Sequence, residues 1–167
     1  MKAIVAVDLN WGIGYRGGLL QSIPDDLRFF KRMTLGNIVI MGRETFESLP
    51  GKKPLKDRIN IVLSRNENFK NEHIIICRSL DELFRELTNY DTNNLFVIGG
   101  EKVYSQLLPY CTDAYITKIQ NEYVADKYFM NIDQDKKWTL QSASDSQRYN
   151  DIQFTFNKYV NNQSLLR

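Results

Sequence analysis

Cysteine and histidine are scarce in this chain: there are two cysteines, Cys77 and Cys111, and one histidine, His73. The cysteines stand far apart and lack the short spacing of a metal site, so both read as reduced core residues. One histidine excludes a multi-histidine metal centre, and no metal is expected. Net charge is also small, +2 over 167 residues, with no long basic run. Nucleic acid is therefore not an expected partner, although a small anionic ligand needs only local positive charge. Nothing approaches a membrane span. The apolar run within residues 1–8 is too short for a signal peptide and meets a charge at once, so a cytoplasmic location is expected. Internal repeats, low-complexity segments and domain-separating linkers are lacking too. A single domain over residues 1–160, with a frayed tail at 161–167, is the expected organisation. No extra interface element is evident, and a monomer is expected.

What is present is an ordinary globular composition, 43% hydrophobic and 25% charged. Apolar, β-branched runs predict strands over 3–9, 38–41, 59–63, 74–77, 95–98 and 114–119. Helical spacing predicts helices over 22–34, 44–49, 80–87 and 101–108. Ser22 is the expected cap of the first, with Pro24 in its first turn and Asp25 at the capping-box position. Ser79 is the expected cap of the third, and Pro109 stops the fourth. Strand and helix alternate up to residue 119, which implies a mostly parallel sheet flanked by helices. Runs at 138–142 and 154–160 have no helix between them and should pair antiparallel. The expected fold is α/β: a single domain with a mostly parallel central sheet of about eight strands and an antiparallel C-terminal strand pair.

Two strands end on glycine and pass directly into a helix. They are Ile38-Val39-Ile40-Met41-Gly42-Arg43 and Leu95-Phe96-Val97-Ile98-Gly99-Gly100-Glu101-Lys102. Free first-turn N–H groups and the helix dipole point at one spot there and make an anion cradle. Two cradles suggest a ligand with phosphates in more than one place, met by Arg43 and Lys102. Arg65 and Arg78 also follow strands and add to an anionic site, although each alone reads as a solvated charge. The paired Gly99-Gly100 implies close backbone approach or an unusual peptide geometry.

Gly12 to Gly17 fits G-x-G-x-x-G after a strand, but no helix opens at Gly17 and no acid ends the second strand. A Rossmann site is disfavoured. A surface loop and a lid over the ligand remain, and the lid has better support because glycine-rich loops at strand ends gate pockets. Asp26 shares a helix face with Phe30 and Met33, with Leu27 alongside. It is either a helix-start acid or, if buried, a functional carboxylate: an acid catalyst or a clamp for a cationic heterocycle.

Together, Gly12-Ile13-Gly14, Ile23-Pro24-Asp25-Asp26-Leu27, Val39 through Ser48, Asn60 through Ser64 and Val97 through Tyr104 resemble the dihydrofolate reductase family, especially its bacterial members. The resemblance covers essentially residues 1–160. It implies hydride transfer from NADPH to C6 of 7,8-dihydrofolate with protonation at N5, and diaminopyrimidine antifolates as further ligands. Asp26 matches the pocket carboxylate, supported by the Thr117 hydroxyl. Gln21 falls where a tryptophan usually orders water near the acid, and Leu20 where a proline stiffens the lid. On the substrate side the matches are Ile4, Val5, Leu27, Phe30, Leu49, Leu55 and Ile98, with Arg58 as clamp of the glutamate carboxylate. On the cofactor side they are Ala6, Ile13, Gly42, Arg43, Glu44, Thr45, Leu63, Ser64, Arg65, Arg78, Gly99, Gly100, Glu101, Lys102, Val103 and Tyr104, with a cis peptide expected at Gly99-Gly100. Asp126 matches an acid that supports the closed lid. Two alternatives are a pyrimidinone reductase of riboflavin synthesis with a related fold, which would not need Asp26 with Phe30 or Arg58, and a non-catalytic binding homologue.

Overall fold

A computed structural model describes residues 1–165. In chain order the elements are β1 (Lys2–Val7), β2 (Gly12–Tyr15), β3 (Gly18–Leu19), α1 (Pro24–Thr34), β4 (Ile38–Gly42), α2 (Arg43–Ser48), β5 (Ile59–Leu63), β6 (Ile75–Cys77) and α3 (Leu80–Leu87). There follow β7 (Leu95–Gly99), α4 (Glu101–Leu107), β8 (Asp113–Ile119), β9 (Lys127–Tyr128), β10 (Trp138–Ala143), β11 (Gln147–Tyr149) and β12 (Ile152–Asn161). Among the described residues no helix is long and apolar enough to cross a membrane.

The main sheet runs β10-β12-β8-β1-β7-β4-β5-β6, with β11 added to β12. Pairs from β8 through β6 are parallel, and those of β12 with β8, β10 and β11 are antiparallel. The parallel strands bury both faces, so they read as continuous apolar runs. Alternate residues pack in opposite layers: Ile38, Ile40, Ile61 and Val97 on one side, Val39, Met41, Val62 and Phe96 on the other. The first layer is covered by Leu83 and Leu87 of α3 and by Val103 and Leu107 of α4. Phe29, Phe30 and Met33 of α1 and Phe46 of α2 cover the second.

β7 lies between β1 and β4, so chain connections leave that point in opposite directions. In an open parallel sheet a ligand crevice forms outside the strand ends at such a switch point. It falls here at the C-terminal ends of β1, β7 and β4, where Ala6, Gly99 and Gly42 stand.

Several local expectations are corrected. The glycine-rich segment is not a structureless loop: Gly12–Tyr15 and Gly18–Leu19 pair antiparallel, and β2 also pairs with β9, forming a second three-stranded sheet. Ser22 does not cap α1. Ile23 occupies the N-cap, Pro24 follows with its preset φ, and no side chain caps the helix. Asp25 pairs with Arg28 one turn on instead of closing a capping box. Ser79 does cap α3, accepting from the Glu82 N–H. The tail expected to fray is anchored as far as residue 165: Asn161 ends β12, Asn161 Nδ2 donates to the Cys111 carbonyl at 3.0 Å, and Leu165 N donates to Pro109 O. Residues 166 and 167 lie outside the described residues.

Candidate active site

Asp26 stands in the first turn of α1 and Thr117 near the end of β8. Register pairs Thr117 with Ala6 of β1, the strand bordering the crevice. The buried Thr117 hydroxyl donates to Asp26 Oδ1 at 2.5 Å. Burial raises the Asp26 carboxyl above the ordinary carboxylate range, and this hydrogen bond opposes the rise. The result is a half-buried acid held in one orientation, with Oδ2 left over among the described residues.

Beside it, Ile4, Phe30, Leu49, Leu55 and Ile98 pack into one apolar cluster. Leu27 is outside that cluster and 43% exposed. Val5 packs in the opposite layer, as strand alternation requires. The Arg58 guanidinium lies 5.9 Å from the Phe30 ring. Its Nε is buried without a hydrogen-bond partner among the described residues, and burial lowers its pKa, with Asp57 opposing. Sequence reasoning missed what holds this loop. Asn60, 4% exposed, accepts from Leu55 N–H at 2.9 Å and donates to the Leu55 and Arg58 carbonyls at 2.9 and 3.1 Å. The available signal was a polar residue inside the apolar run of β5.

Across the crevice, α2 and α4 open on Gly42 and Gly100 with no side-chain cap. The Gly99-Gly100 peptide is cis, as expected. A Cβ on Gly100 would stand 3.1 Å from Thr45 Oγ1, and one on Gly99 3.3 Å from the same atom. Gly42 packs likewise against Val103 Cγ2. A side chain would thus crowd Thr45 or Val103 on both sides of the cradle, and Gly99 also adopts φ +136°, which favours glycine. Tyr104, buried in α4, donates from its hydroxyl to the Ile4 carbonyl at 2.7 Å and ties the cradle to β1.

The basic residues divide. Arg43 Nη1 donates to both Glu47 carboxylate oxygens at 3.0 and 2.9 Å. Glu44 faces Lys127 of β9 across 4.0 Å, and Glu101 accepts from the Tyr128 N–H at 2.9 Å. Arg65 and Lys102 are exposed. The Arg78 guanidinium donates to the carbonyls of Ser64, Asn66 and Phe69 at 3.1, 2.5 and 2.8 Å. It staples the loop that carries Ser64 and Arg65. Leu63 ends β5 just before that loop.

β2 carries Ile13, which packs against the first core layer. Its hairpin is fastened by Asp126, whose N–H donates to Gly14 O at 3.0 Å and whose Oδ2 accepts from Arg16 N–H at 3.0 Å. Gln21 follows at the hairpin's exit and is half-buried.

Fold and site together define an open α/β domain with a pocket acid on one side of a switch-point crevice and a glycine cradle on the other. The family model for dihydrofolate reductase matches residues 1–161, and the chain belongs to that family. It is 40% identical over 150 residues to a dihydrofolate reductase of Schistosoma mansoni, covering 81% of each chain. It is 34% identical over 163 residues to a bifunctional dihydrofolate reductase-thymidylate synthase of Paramecium tetraurelia, matching 96% of this chain but only 34% of that one. The chain thus spans about a third of the bifunctional relative. Among solved structures it is similar to dihydrofolate reductase from Enterococcus faecalis complexed with NADP(H) and RAB-propyl. That similarity has a TM-score of 0.86 at 31% identity and covers 96% of this chain and 95% of the other.

Proposed function

We propose that residues 1–160 form a catalytic domain that reduces 7,8-dihydrofolate to tetrahydrofolate with NADPH. The observation that carries this reading is the Thr117–Asp26 pair set beside an apolar cluster, with the glycine cradle at the neighbouring strand ends.

The cofactor side fits the group. Gly42, Gly99 and Gly100 keep the cradle open, and Arg43, Thr45, Ser64, Arg65 and Lys102 supply donors around it. Arg65, whose side chain has no hydrogen bond or ion pair among the described residues, is the 2′-phosphate partner; Arg78 acts through the loop it staples. When bound, NADPH supplies the hydride. Ile13 and Ala6 flank the nicotinamide, and the β2 hairpin excludes water.

The pterin ring lies against Ile4, Phe30 and Ile98. Asp26 Oδ2 accepts from its 2-amino and N3 side, while Thr117 holds Oδ1. An anionic carboxylate in this low-dielectric pocket favours the N5-protonated substrate without touching N5. Protonation makes C6 a better hydride acceptor. The Arg58 guanidinium, short of a partner at Nε, clamps the glutamate α-carboxylate. A protonated diaminopyrimidine presents similar donors to Asp26, so antifolates of that class bind the same pocket.

Dihydrofolate-dependent oxidation of NADPH, measured beside an NADPH-binding titration, tests the proposal. NADPH binding without turnover would mark a non-catalytic homologue, and turnover of a pyrimidinone ribosyl phosphate instead of dihydrofolate would move the domain to the riboflavin-type reductases.

A further inference from the structure

Asp8 is a carboxylate only 3% exposed, one residue beyond β1. Among the described residues no Lys or Arg pairs with it. Its charge is instead met by three backbone N–H groups. Oδ1 accepts from Asn10 at 2.9 Å and Gly12 at 2.8 Å, and Oδ2 accepts from Tyr123 at 3.0 Å. A buried carboxylate without a cation costs free energy unless its acceptor sites are filled, so these donors must converge on it.

The donors come from two segments remote from β1 in role. Gly12 begins the lid strand β2, and Tyr123 begins the run that reaches Asp126, the residue that fastens the lid. Backbone bonds reinforce the junction: Asp8 N donates to Gly12 O at 3.1 Å, and Leu9 N to Asn121 O at 3.0 Å. A Cβ on Gly12 would stand 3.1 Å from Asp8 Oδ1 and 2.8 Å from Ala125 Cβ, so the three segments meet without spare room.

We propose that Asp8 is a positioning residue for hydride transfer, its carboxylate locking the lid strand and the 121–126 segment onto the end of β1. Ala6 lies two residues before Asp8 and Ile13 one residue after Gly12. The carboxylate therefore sets the spacing of the two backbones that flank the nicotinamide, which rests on the functional reading given above. The Oδ2–Tyr123 bond is the part a local turn does not need. Without it the closed lid becomes one member of an ensemble, and apparent NADPH affinity falls with the closed fraction.

Asp8→Asn and Asp8→Ser in the full chain test this. Asparagine keeps one oxygen for the Asn10 and Gly12 N–H groups but sets an NH2 against the Tyr123 N–H. Serine keeps an acceptor for the turn and reaches no further. In both, the NADPH dissociation constant rises and the single-turnover hydride rate falls, each about tenfold. The dihydrofolate KM stays within about twofold, because the pterin walls lie on other elements. Amide exchange at Arg16 and Asp126 accelerates. The proposal is overturned if both variants keep NADPH affinity and hydride rate within about twofold of the parent, whatever their melting temperatures. It is also overturned if dihydrofolate KM rises in step with the NADPH constant, or if neither variant folds, since the role is then structural. If only Asp8→Ser folds, that variant decides. A parent chain that binds NADPH without reducing dihydrofolate sinks the functional reading alone; NADPH titration and amide exchange still decide on Asp8.

Discussion

The Thr117 hydroxyl donates to Asp26 Oδ1 at 2.5 Å, joining the end of β8 to the first turn of α1 across 91 residues. That bond leaves Oδ2 as the open acceptor of a half-buried carboxyl. Desolvation, the larger effect, raises the Asp26 pKa, and the hydroxyl restrains the rise. The folded-state value therefore stands above the unfolded one, and the native state binds this proton more tightly. The stability it contributes is complete below the ordinary carboxylate range and is lost as pH rises through the raised value.

Asp26→Asn consequently has two effects of opposite sign. Dihydrofolate reduction at neutral pH falls by roughly 100- to 10,000-fold, the usual worth of acid–base assistance. The loss shrinks at low pH, where solvent protonates the substrate before binding. The melting temperature at neutral pH rises, on the order of 2 °C, because an ionised buried group has gone. Near-parental turnover at pH 7 would remove Asp26 from the mechanism; a lower melting temperature would show that the ion is stabilised in the fold.

Arg58→Ala weakens dihydrofolate and glutamate-bearing antifolates by about 10- to 100-fold, as expected for loss of a charge-assisted carboxylate contact. Small diaminopyrimidines, which carry no glutamate, change little. Direct titrations of both ligand types decide the matter, and equal weakening would show that Arg58 shapes the pocket instead of clamping the tail.

The main sheet and the position of the crevice were legible in sequence because long-range parallel pairing announces itself locally, as short apolar runs such as Ile38 to Met41 closed by glycine. The antiparallel pair β10 and β12 was legible from the missing helix between them. The lid was not read as a sheet: β2, β3 and β9 are two to four residues long, and the β2–β9 pairing joins residues more than a hundred positions apart. Ser22 failed as a cap because Pro24 placed the helix start one residue later than a serine cap needs. Residue types at the site were evident, but not their commitments. Arg78 resembles any strand-end cation until the carbonyls of Ser64, Asn66 and Phe69 are seen around it, and Asn60, polar inside an apolar strand, shows its role only once the 55–58 loop is seen bonded to it.

Arg65 and Arg78 should separate in mutation. Arg65→Ala weakens NADPH by about 10- to 100-fold, leaves NADH nearly unchanged and hardly alters the melting temperature, since Arg65 is exposed. Arg78→Ala removes three carbonyl partners, lowers the melting temperature and weakens both cofactors by displacing Ser64 and Arg65. Arg78→Lys does not restore the parent, because one ammonium cannot span three carbonyls. Cofactor titrations with thermal melts test the division; an Arg78→Ala variant that melts like the parent would return Arg78 to the phosphate site.

The sequence resemblance places Leu20 and Gln21 at positions expected to hold proline and tryptophan. Leu20 Cδ1 lies 3.1 Å from the place a Gly12 Cβ would occupy, so this leucine packs against the root of the lid. Gln21 is half-buried beside it. A glutamine amide is flexible and both donates and accepts, whereas an indole offers one fixed donor on a rigid apolar plate. We expect water near Asp26 to be held less tightly than beside an indole, and the unliganded lid to sample more conformations than with a proline. Leu20→Pro combined with Gln21→Trp should reverse both effects. Dry indole surface raises the Asp26 pKa further, so the alkaline limb of the pH–rate profile moves to higher pH. Diaminopyrimidine inhibitors bind about tenfold tighter, because the lid no longer has to be ordered on binding. Measured pH–rate profiles and inhibitor titrations that match the parent's would mean that Gln21 faces away from the pocket and that the departure is neutral.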